Sequence, residues 1–311
     1  MKLVFCGTPQ FAVPALRTLL DHGFEIPLVV SQPDRPSGRG MQVSPTPVKQ
    51  LALERGVEVT QPEKIKNNEE FRARLKAIQP DAIVVVAYGR IIPQWMIDLP
   101  ALGNINAHAS LLPKYRGAAP IQWAIAMGET VTGVTTMRID AGLDTGDMLL
   151  KQELPIAPED TAVTLSPKLS ELGGTLLVET LRGLPKGTVK AIPQDHASAT
   201  LAPILKKEDG LMDFQRTATD LWNRLRGFQP WPGAYSSFRG KAFNVTAAKS
   251  AGGKSEQAPG TLSTSGSQLL VTCGDKTLLE LLEVQPEGKK RMPARDFING
   301  YRPQAGEKLG A

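Results

Sequence analysis

Histidine is the side chain best suited to move a proton near neutral pH, and this sequence contains only three. His108 stands out because it follows a short apolar run and lies two residues after Asn106. Alternation along a strand would place the amide of Asn106 and the imidazole of His108 on the same side. Such a pair could donate hydrogen bonds to a developing oxyanion and transfer a proton, although it could also simply cap the end of a sheet. His22 and His196 fall beside a helix stop and in a polar segment, so we expect both on the surface.

A second polar group follows in the loop Asp140–Asp147, DAGLDTGD, which holds three carboxylates close together. Asp144 could pair with His108 and fix which ring nitrogen carries the proton. Metal binding is a competing interpretation, but it is weak because no histidine or glutamate accompanies these aspartates. The Asp-Thr-Gly triplet at 144–146 also resembles that of aspartic proteases, which need a second copy that this sequence lacks. Between the two groups, the Pro- and Gly-rich stretch Ser110–Pro120 could form one wall around a bound ligand.

The elements that would position these residues are predicted from apolar periodicity. Short β-branched runs alternate with helical patterns in the first half of the chain, which indicates parallel βα units. The runs predict strands at Lys2–Phe5, Leu28–Val30, Ala82–Ala87, Ile105–Ala107, Val134–Ile139 and Asp147–Ile156. Helices are predicted over Phe71–Ile78, Ala162–Leu181 and Leu221–Phe228. The first half is therefore an α/β, Rossmann-like core in which His108 follows a strand, at the edge where open sheets place their sites.

A nicotinamide cofactor is not expected in this core. The turn Gly7-Thr8-Pro9-Gln10 after the first strand lacks the second and third glycines of the dinucleotide fingerprint. Without them the backbone could not approach a pyrophosphate closely.

Between Ser31 and Lys49 lies an insertion, rich in proline and positive charge, that is too long for an ordinary connection. Arg35, Arg39 and Lys49 could reach phosphate groups from it. A solvated insertion without a partner is the alternative, and composition does not decide between the two.

The last third of the chain differs in both charge and pattern. Residues 1–203 carry 20 Lys and Arg against 20 Asp and Glu, whereas residues 204–311 carry 16 against 11. Helical periodicity fails from Gly187 to Pro203, which predicts a linker, and the Gly- and Ser-rich stretch Lys249–Ser267 predicts a mobile hairpin loop. Several short strands in this third favour a small barrel of OB type, and the positive excess would suit a polyanion. We therefore predict a Rossmann-like domain over 1–187, a linker over 188–203 and an OB-like domain over 204–311.

Composition bounds the class of protein. With 311 residues, 41% of them hydrophobic and 22% charged, the chain is typical of a soluble protein of two domains. No window approaches the roughly 18 consecutive apolar residues of a membrane-spanning helix, and Gly7 and Pro9 interrupt the apolar start before a signal peptide could form. We expect a cytoplasmic location. Cys6 and Cys273 lie in apolar runs, so we expect buried thiols rather than a disulfide or a zinc site.

Several motifs, in a fixed order, resemble those of one enzyme superfamily. They are Ala87-Tyr88-Gly89, Asn106-x-His108, SLLPKYRGAAPIQ over 110–122 and DAGLDTGD over 140–147. On these motifs the chain resembles the 10-formyltetrahydrofolate-dependent formyltransferases. Three further motifs narrow the resemblance to members that formylate methionine on initiator tRNA. They are QPDRPSGRG over 32–40, FQPWPGAY over 228–235 and QPEGKKRM over 285–292. It extends over essentially the full chain.

The resemblance implies a role for each matching residue. The implied catalytic residues are Asn106, His108 and Asp144. The implied folate-binding residues are Tyr88, Gly89, Ser110, Leu111, Leu112, Pro113 and Asp140. The implied tRNA-binding residues are Arg35, Arg39, Lys49, Lys206, Lys289, Lys290 and Arg291. The chain departs from the family pattern at Ala107 and Ala109, where valine and glycine are usual, and the second change adds a methyl group beside His108.

The reaction that the resemblance implies moves the formyl group of 10-formyltetrahydrofolate to the α-amino group of methionine on initiator Met-tRNA. It implies neither a metal nor a nicotinamide, and we expect a monomer without a membrane partner. Three alternatives stay open: a formyltransferase for a sugar amine or nucleotide, a non-catalytic RNA-binding protein that keeps the scaffold, and hydrolysis of formyl-folate by water. A small acceptor would need neither the basic last third nor the 31–49 insertion. A dead site would not be expected to keep all three of the implied catalytic residues.

Overall fold

The strands and helices predicted from periodicity are present, with their ends shifted by a few residues. The structure is a computed structural model that describes residues 1–37 and 42–310. Numbered in chain order, the strands are β1 (Lys2–Gly7), β2 (Glu25–Val30), β3 (Arg35–Ser37), β4 (Gln42–Ser44), β5 (Val59–Thr60), β6 (Ala82–Val86), β7 (Asn104–His108), β8 (Val131–Arg138), β9 (Met148–Pro155), β10 (Ala234–Phe238), β11 (Lys241–Ala251), β12 (Leu262–Ser265), β13 (Gln268–Thr272), β14 (Leu278–Pro286) and β15 (Met292–Pro293). The helices are α1 (Val13–Asp21), α2 (Pro47–Glu54), α3 (Glu69–Ile78), α4 (Gln94–Ile97), α5 (Pro120–Ala126), α6 (Ala162–Gly183), α7 (Ala218–Gly227) and α8 (Ala294–Tyr301). In the part of the chain that the structure describes, none of the helices has the length and apolar composition needed to cross a membrane.

The strands of the first half of the chain form a seven-stranded sheet in the order β5-β2-β1-β6-β7-β8-β9. The five strands β5, β2, β1, β6 and β7 are parallel to one another. β8 is antiparallel to β7, and β9 is antiparallel to β8. All five residues of β6 are buried, as expected of a strand that is covered on both faces. The chain runs from β1 outward to β2 and β5, then returns to the other side of β1 for β6 and β7. The predicted Rossmann-like core is confirmed, and this reversal is where open α/β sheets form a crevice at the carboxyl ends of their strands.

Helix α3 shows how the local sequence sets the ends of an element beside this sheet. Asn68 caps the first turn, because its side chain accepts a hydrogen bond from Phe71 N at 2.9 Å. Gln79 ends the helix in the left-handed conformation, with φ 50°. Phe71 and Leu75, four residues apart on one face, are buried in a core shared with β1, β2 and β6.

The last third of the chain forms an antiparallel sheet in the order β10-β11-β14-β13-β12, with β15 paired to β14. Its core combines apolar side chains of the sheet with those of α7 and α8, among them Leu221, Phe243 and Phe297. The prediction of a hairpin loop over Lys249–Ser267 is wrong. β11 continues to Ala251, β12 lies within the stretch, and these strands pair with β14 and β13 rather than with each other. Short antiparallel strands agree with the predicted architecture, while an OB-type closure remains a prediction.

The chain divides into two units that do not follow a single cut in the sequence. The first comprises Met1–Pro120, Val131–Pro155 and Ser166–Ala202, and the second comprises Ile121–Thr130, Ile156–Leu165 and Pro203–Ala311. Two short segments that precede residue 203 therefore belong to the second unit. Within that unit, the rings of Trp123 and Phe228 meet edge to face with centroids 5.3 Å apart, and Arg226 Nη1 donates to Asp160 O at 2.9 Å.

The segment predicted as a linker is hydrogen-bonded within the first unit up to Ala202. Ile192 and Met148 exchange two backbone hydrogen bonds, each of 2.8 Å. Arg116 N donates to Thr200 O at 2.9 Å, and Ala202 N donates to Arg116 O at 2.7 Å. Paired backbone groups fix a segment in place even where it has no helical periodicity. Residues 188–202 are therefore part of the unit that carries the candidate catalytic residues.

Candidate active site

Strand β7 brings Asn106 and His108 to the carboxyl end of the first sheet, where β6 and β8 flank them. His108 is buried, with 6% of its surface exposed, and its Nε2 lies 2.8 Å from Tyr115 O. Because a carbonyl oxygen can only accept a hydrogen bond, this contact requires a proton on Nε2. Asn106 is half-buried, and none of the residues that the structure describes is hydrogen-bonded to its amide. The strand thus presents an oriented imidazole N–H beside an amide whose donors are available to a ligand.

Asp144 approaches the other ring nitrogen of His108. Its Oδ2 lies 3.6 Å from His108 Nδ1, which is longer than a hydrogen bond. The same Oδ2 accepts a hydrogen bond from Gly117 N at 2.8 Å. The backbone of Asp144 has φ 51°, in the left-handed region that aspartate tolerates better than most residues. The structure therefore brings together the Asn106, His108 and Asp144 side chains that the sequence singles out.

The position that holds the Asp144 carboxylate admits only glycine. Gly117 has φ 121°, and a Cβ placed on it would lie 2.7 Å from Ala202 O, a backbone atom that cannot rotate away. A residue with a side chain would have to displace either its own peptide or the segment that ends at Ala202. The glycine of the KYRGAAP motif therefore sets the distance between Asp144 and the 110–120 stretch.

We expect Gly117→Ala to lower the free energy of unfolding more than Gly187→Ala does. Gly187 also has a positive φ, 68°, but a Cβ placed there meets no described atom within 4 Å. Alanine at 187 therefore carries only left-handed strain of about 1 kcal/mol, whereas the backbone collision at 117 raises the loss of unfolding free energy to about 2–4 kcal/mol. Gly117→Ala should also lower kcat, because Gly117 N holds Asp144. Urea unfolding of both variants measures the difference, and equal losses would contradict the steric account.

The loop that carries Asp144 is shaped by its own first aspartate. Asp140 Oδ1 accepts hydrogen bonds from Gly142 N at 3.0 Å and from Thr145 Oγ1 at 2.7 Å. Such a side-chain bond to the following backbone stabilises a tight turn. Asp140 therefore has a structural task in presenting Asp144, and its contact with folate stays a prediction.

The stretch 110–113 is fastened to β8 through one threonine. Thr135 Oγ1 donates to Ser110 O at 2.7 Å and accepts from Leu112 N at 3.1 Å. Leu112 is fully buried. The half-buried side chains of Leu111 and Pro113 are the parts of this stretch that a ligand could reach. The stretch 110–113 is thus fixed to β8, and its role as a wall around bound folate stays a prediction.

Strand β6 ends in an unusual backbone at Ala87-Tyr88-Gly89. Ala87 has φ 45° and Gly89 has φ 77°, so both adopt the left-handed conformation. The side chain of Tyr88 is only 2% exposed and packs in the core of the first unit, where burial raises the pKa of its hydroxyl. Gln32 Nε2 donates to Tyr88 O at 2.8 Å and fixes the turn. Any folate contact here would use the backbone of the turn rather than the tyrosine ring.

The residues predicted to bind tRNA have different surroundings. No ion pair within the described chain engages the following exposed side chains: Arg35, Lys206, Lys289, Lys290 and Arg291. Lys49 is instead held at the base of the insertion, with Nζ 2.5 Å from Asp34 Oδ2 and 2.6 Å from Gln61 Oε1. Partial burial raises the pKa of Asp34, but hydrogen bonds from Lys49 and Gln61 outweigh it and leave that pKa below its ordinary value. Arg39 lies outside the described residues.

One polar network around the site was not predicted from the sequence. Arg116 and Gln194 are buried, at 6% and 5% exposure, although they lie 78 positions apart in the chain. Arg116 donates from Nε and Nη2 to Gln194 Oε1 at 3.0 and 2.7 Å. Its Nη2 also lies 3.2 Å from Nδ1 of His196, which is exposed as predicted. The position of Arg116 inside the KYRGAAP motif is the one sequence signal for this network, since a single glutamine in a polar segment carries none.

The two departures from the family pattern fit without strain. Ala107 and Ala109 are each 6% exposed, and neither has a positive φ. Because only the left-handed region favours glycine over alanine, Ala109 beside His108 is an ordinary backbone position.

The thiols and acidic groups give no further site. Cys6 and Cys273 are buried and free, as predicted, and burial raises the pKa of Cys273 to about 12. Within residues 1–37 and 42–310, no group of three or more His, Cys, Asp or Glu side chains is placed to hold a metal ion.

Family models and relatives of known sequence match this chain from end to end or nearly so. Residues 1–181 match the family described as Formyl transferase, and residues 204–302 match Formyl transferase, C-terminal domain. The methionyl-tRNA formyltransferase of Koribacter versatilis (strain Ellin345) is 67% identical over 310 residues, covering 100% of this chain and 99% of its own length. That of Acidobacterium capsulatum is 61% identical over 311 residues, covering 100% of both chains.

Two solved structures share the fold at much lower identity. WlaRD, a sugar 3N-formyl transferase crystallised in the presence of dTDP and 5-N-formyl-THF, has a TM-score of 0.67 at 18% identity, covering 93% of this chain and 99% of its own. The N-formyltransferase of Helicobacter canadensis, in complex with folinic acid and dTDP-3-aminofucose, has a TM-score of 0.68 at 19% identity, covering 92% and 99%. These likenesses show the fold alone. The full-length identity to the bacterial relatives shows more: the chain belongs to the methionyl-tRNA formyltransferase family.

Proposed function

We propose that this protein transfers the formyl group of 10-formyltetrahydrofolate to the α-amino group of methionine on initiator tRNA, giving formylmethionyl-tRNA for translation initiation. The observation that carries the proposal is the grouping of Asn106, His108 and Asp144 at the carboxyl end of β7. The family to which the chain belongs supports the same reaction.

Asn106 and His108 would act on the oxygen of the formyl group. Attack of a neutral amine on the formyl carbon develops negative charge on that oxygen, and donors aimed at it lower the barrier. The Asn106 amide, which has no hydrogen-bond partner in the described chain, supplies one donor. The second would be the Nε2 proton of His108, which Tyr115 O accepts in this structure and which the formyl oxygen would share when substrate binds. Folate would be bound by the stretch 110–113, the Ala87–Gly89 turn and the Asp140 loop.

Asp144 would accept the proton that the amine loses. The new bond joins the formyl carbon to the α-amino nitrogen, the bond from that carbon to N10 breaks, and N10 takes up a proton. With its Oδ2 3.6 Å from His108 Nδ1, Asp144 orients the ring and accepts the amine proton directly or through water. This division of roles resembles other acid–base sets in which a carboxylate orients an imidazole.

The tRNA would be bound by basic residues of both units. Arg35 and Arg39 belong to the 31–49 insertion, and Lys206, Lys289, Lys290 and Arg291 belong to the basic last third. Lys49 would act indirectly, because its ammonium already pairs with Asp34 at the base of the insertion. The function would be carried out by a monomer in the cytoplasm.

A formylation assay tests the proposal. The purified protein is incubated with 10-formyltetrahydrofolate and either initiator or elongator Met-tRNA, in parallel with the His108→Ala variant. We expect the formyl group to be transferred to initiator Met-tRNA, and we expect this transfer to be lost in the His108→Ala variant. Consumption of formyl-folate without formylated tRNA would reject tRNA as the acceptor. The acceptor would then be sought among sugar amines, as in the fold neighbours, or would be water.

A further inference from the structure

Gln194 uses every hydrogen-bonding position of its side chain. Its Nε2 donates to Asp144 O at 2.8 Å and to Gly146 O at 2.7 Å. Its Oε1 accepts two hydrogen bonds from the Arg116 guanidinium, at 3.0 and 2.7 Å. A buried amide with two donors and two acceptor sites all paired is fixed in one orientation. Gln194 therefore links a buried cation rigidly to the backbone of the Asp144 turn.

The turn to which Gln194 is hydrogen-bonded has a strained backbone. Asp144 has φ 51°, and a Cβ on Gly146 would collide with Arg138 O. Such a backbone persists only where the surroundings hold it. The two carbonyls that Gln194 binds lie on either side of Thr145, so the amide fixes the peptide planes that determine where the Asp144 carboxylate points.

The same network reaches the Asp144 side chain by a second route. Gly117, the residue after Arg116, donates its N–H to Asp144 Oδ2 at 2.8 Å. Arg116 is itself fixed by backbone hydrogen bonds to Thr200 and Ala202. The backbone of Asp144 is thus held through Gln194 and its carboxylate through Gly117, and both connect to Arg116.

We propose that Gln194, anchored by Arg116, is a positioning residue for formyl transfer that directs the Asp144 carboxylate toward His108. The proposal rests on the proposed function, because it takes Asp144 as part of the reaction. It gives the segment 188–202 a part in catalysis as well as in connecting the units. The contrary possibility is that Gln194 merely fastens this segment to Arg116.

Gln194→Glu separates the two possibilities. A glutamate still offers oxygens to the Arg116 guanidinium, so the segment stays fastened, but an ionised carboxylate has no hydrogen to donate to the carbonyls of residues 144 and 146. We expect kcat to fall about 10-fold to 100-fold, as when a reacting group is misplaced by about 1 Å, with KM for both substrates little changed. Gln194→Met, which removes the donors without adding a charge, should give a similar loss. Gln152→Glu, the same change at an exposed position of β9, serves as the matched control and should behave as wild type.

Two further measurements keep a structural effect apart from positioning. In an Asp144→Asn background, Gln194→Glu should lower kcat little further, because a residue that acts through Asp144 has no effect once the carboxylate is gone. In the absence of substrate, the NMR chemical shifts of the His108 ring nitrogens should move in Gln194→Glu and not in Gln152→Glu. A wild-type kcat in Gln194→Glu, or a loss that persists in full in the Asp144→Asn background, would overturn the proposal. If the wild type formylated no tRNA, the proposed function would fail by itself, and unmoved His108 shifts would reject the positioning role separately.

Discussion

Asn106→Ala is expected to lower kcat by about 10²- to 10³-fold while the protein stays folded. The amide would be one of two donors to the developing oxyanion, and removing one such donor typically has an effect of that size. Since no described residue is hydrogen-bonded to the Asn106 amide, its removal leaves no internal group unpaired. Single-turnover formylation at saturating substrates measures the chemical step, and thermal unfolding measures the fold.

Asn104, two residues earlier in β7, provides the matched control. It is buried, and its Nδ2 donates to the carbonyls of Met96 and Ile97 at 2.9 and 3.1 Å. Asn104→Ala should therefore lose about 1–3 kcal/mol of unfolding free energy, because buried carbonyls lose their donor, and should keep most of its kcat. The two alanine variants thus have opposite expected profiles. An Asn106→Ala enzyme within about tenfold of the wild-type rate would remove Asn106 from the oxyanion site.

Affinity for tRNA is expected to fall about 10²- to 10³-fold as salt is raised from about 50 to about 200 mM. Five of the residues predicted to contact phosphates are exposed and take part in no ion pair within the described chain. They are Arg35, Lys206, Lys289, Lys290 and Arg291. Each phosphate contact contributes about −0.7 to −0.9 to the slope of log affinity against log salt, because bound counterions are released. Filter binding or fluorescence titration across a salt series gives that slope.

The contribution of the run 289–291 can be isolated within the same series. Replacing Lys289, Lys290 and Arg291 together by glutamine should flatten the slope by about 2 to 3. Lys276→Gln is the control, because Lys276 is exposed but already paired with Glu256 at 2.5 Å. A slope unchanged by the triple variant would show that this run does not face the tRNA.

The strands and the central site residues are predictable because their signals are local. A short apolar run rich in β-branched residues, such as Ala82–Ala87, is typical of a strand covered on both faces, and β6 ends one residue earlier than predicted. Asn106 and His108 follow from strand alternation, which needs no knowledge of partners. By contrast, β3 and β4 have three residues each, too few for any periodicity to show.

What the sequence could not show depends on partners far along the chain. Arg116 and Gln194 are neighbours only because residues 188–202 pack back on the first unit. Tyr88 is part of a motif, yet the pattern does not reveal that its ring points into the core while the backbone forms the turn. Lys49 resembles a free cation in the sequence until Asp34 and Gln61 are seen to bind it. In each case composition indicates the residue, and tertiary contacts decide its task.

The fold alone does not select the acceptor. Structures of sugar N-formyltransferases share this fold with TM-scores of 0.67 and 0.68, yet at identities of only 18% and 19%. A scaffold of this kind hosts more than one acceptor, so the acceptor must be argued from sites and charge. The basic last third and the insertion are the features that distinguish a polyanionic acceptor from a small one.

The way the chain divides also limits recombination between related genes. Residues 121–130 and 156–165 are encoded within the stretch matched by the first module, yet they belong to the second unit. A hybrid gene made with one crossover near residue 203 would therefore assemble its second unit from both parents. Trp123 of one parent would have to fit Phe228 of the other, and Asp160 would have to receive Arg226. Successful hybrids should come from parents that agree at these contacts, or from exchanges that carry all three segments together.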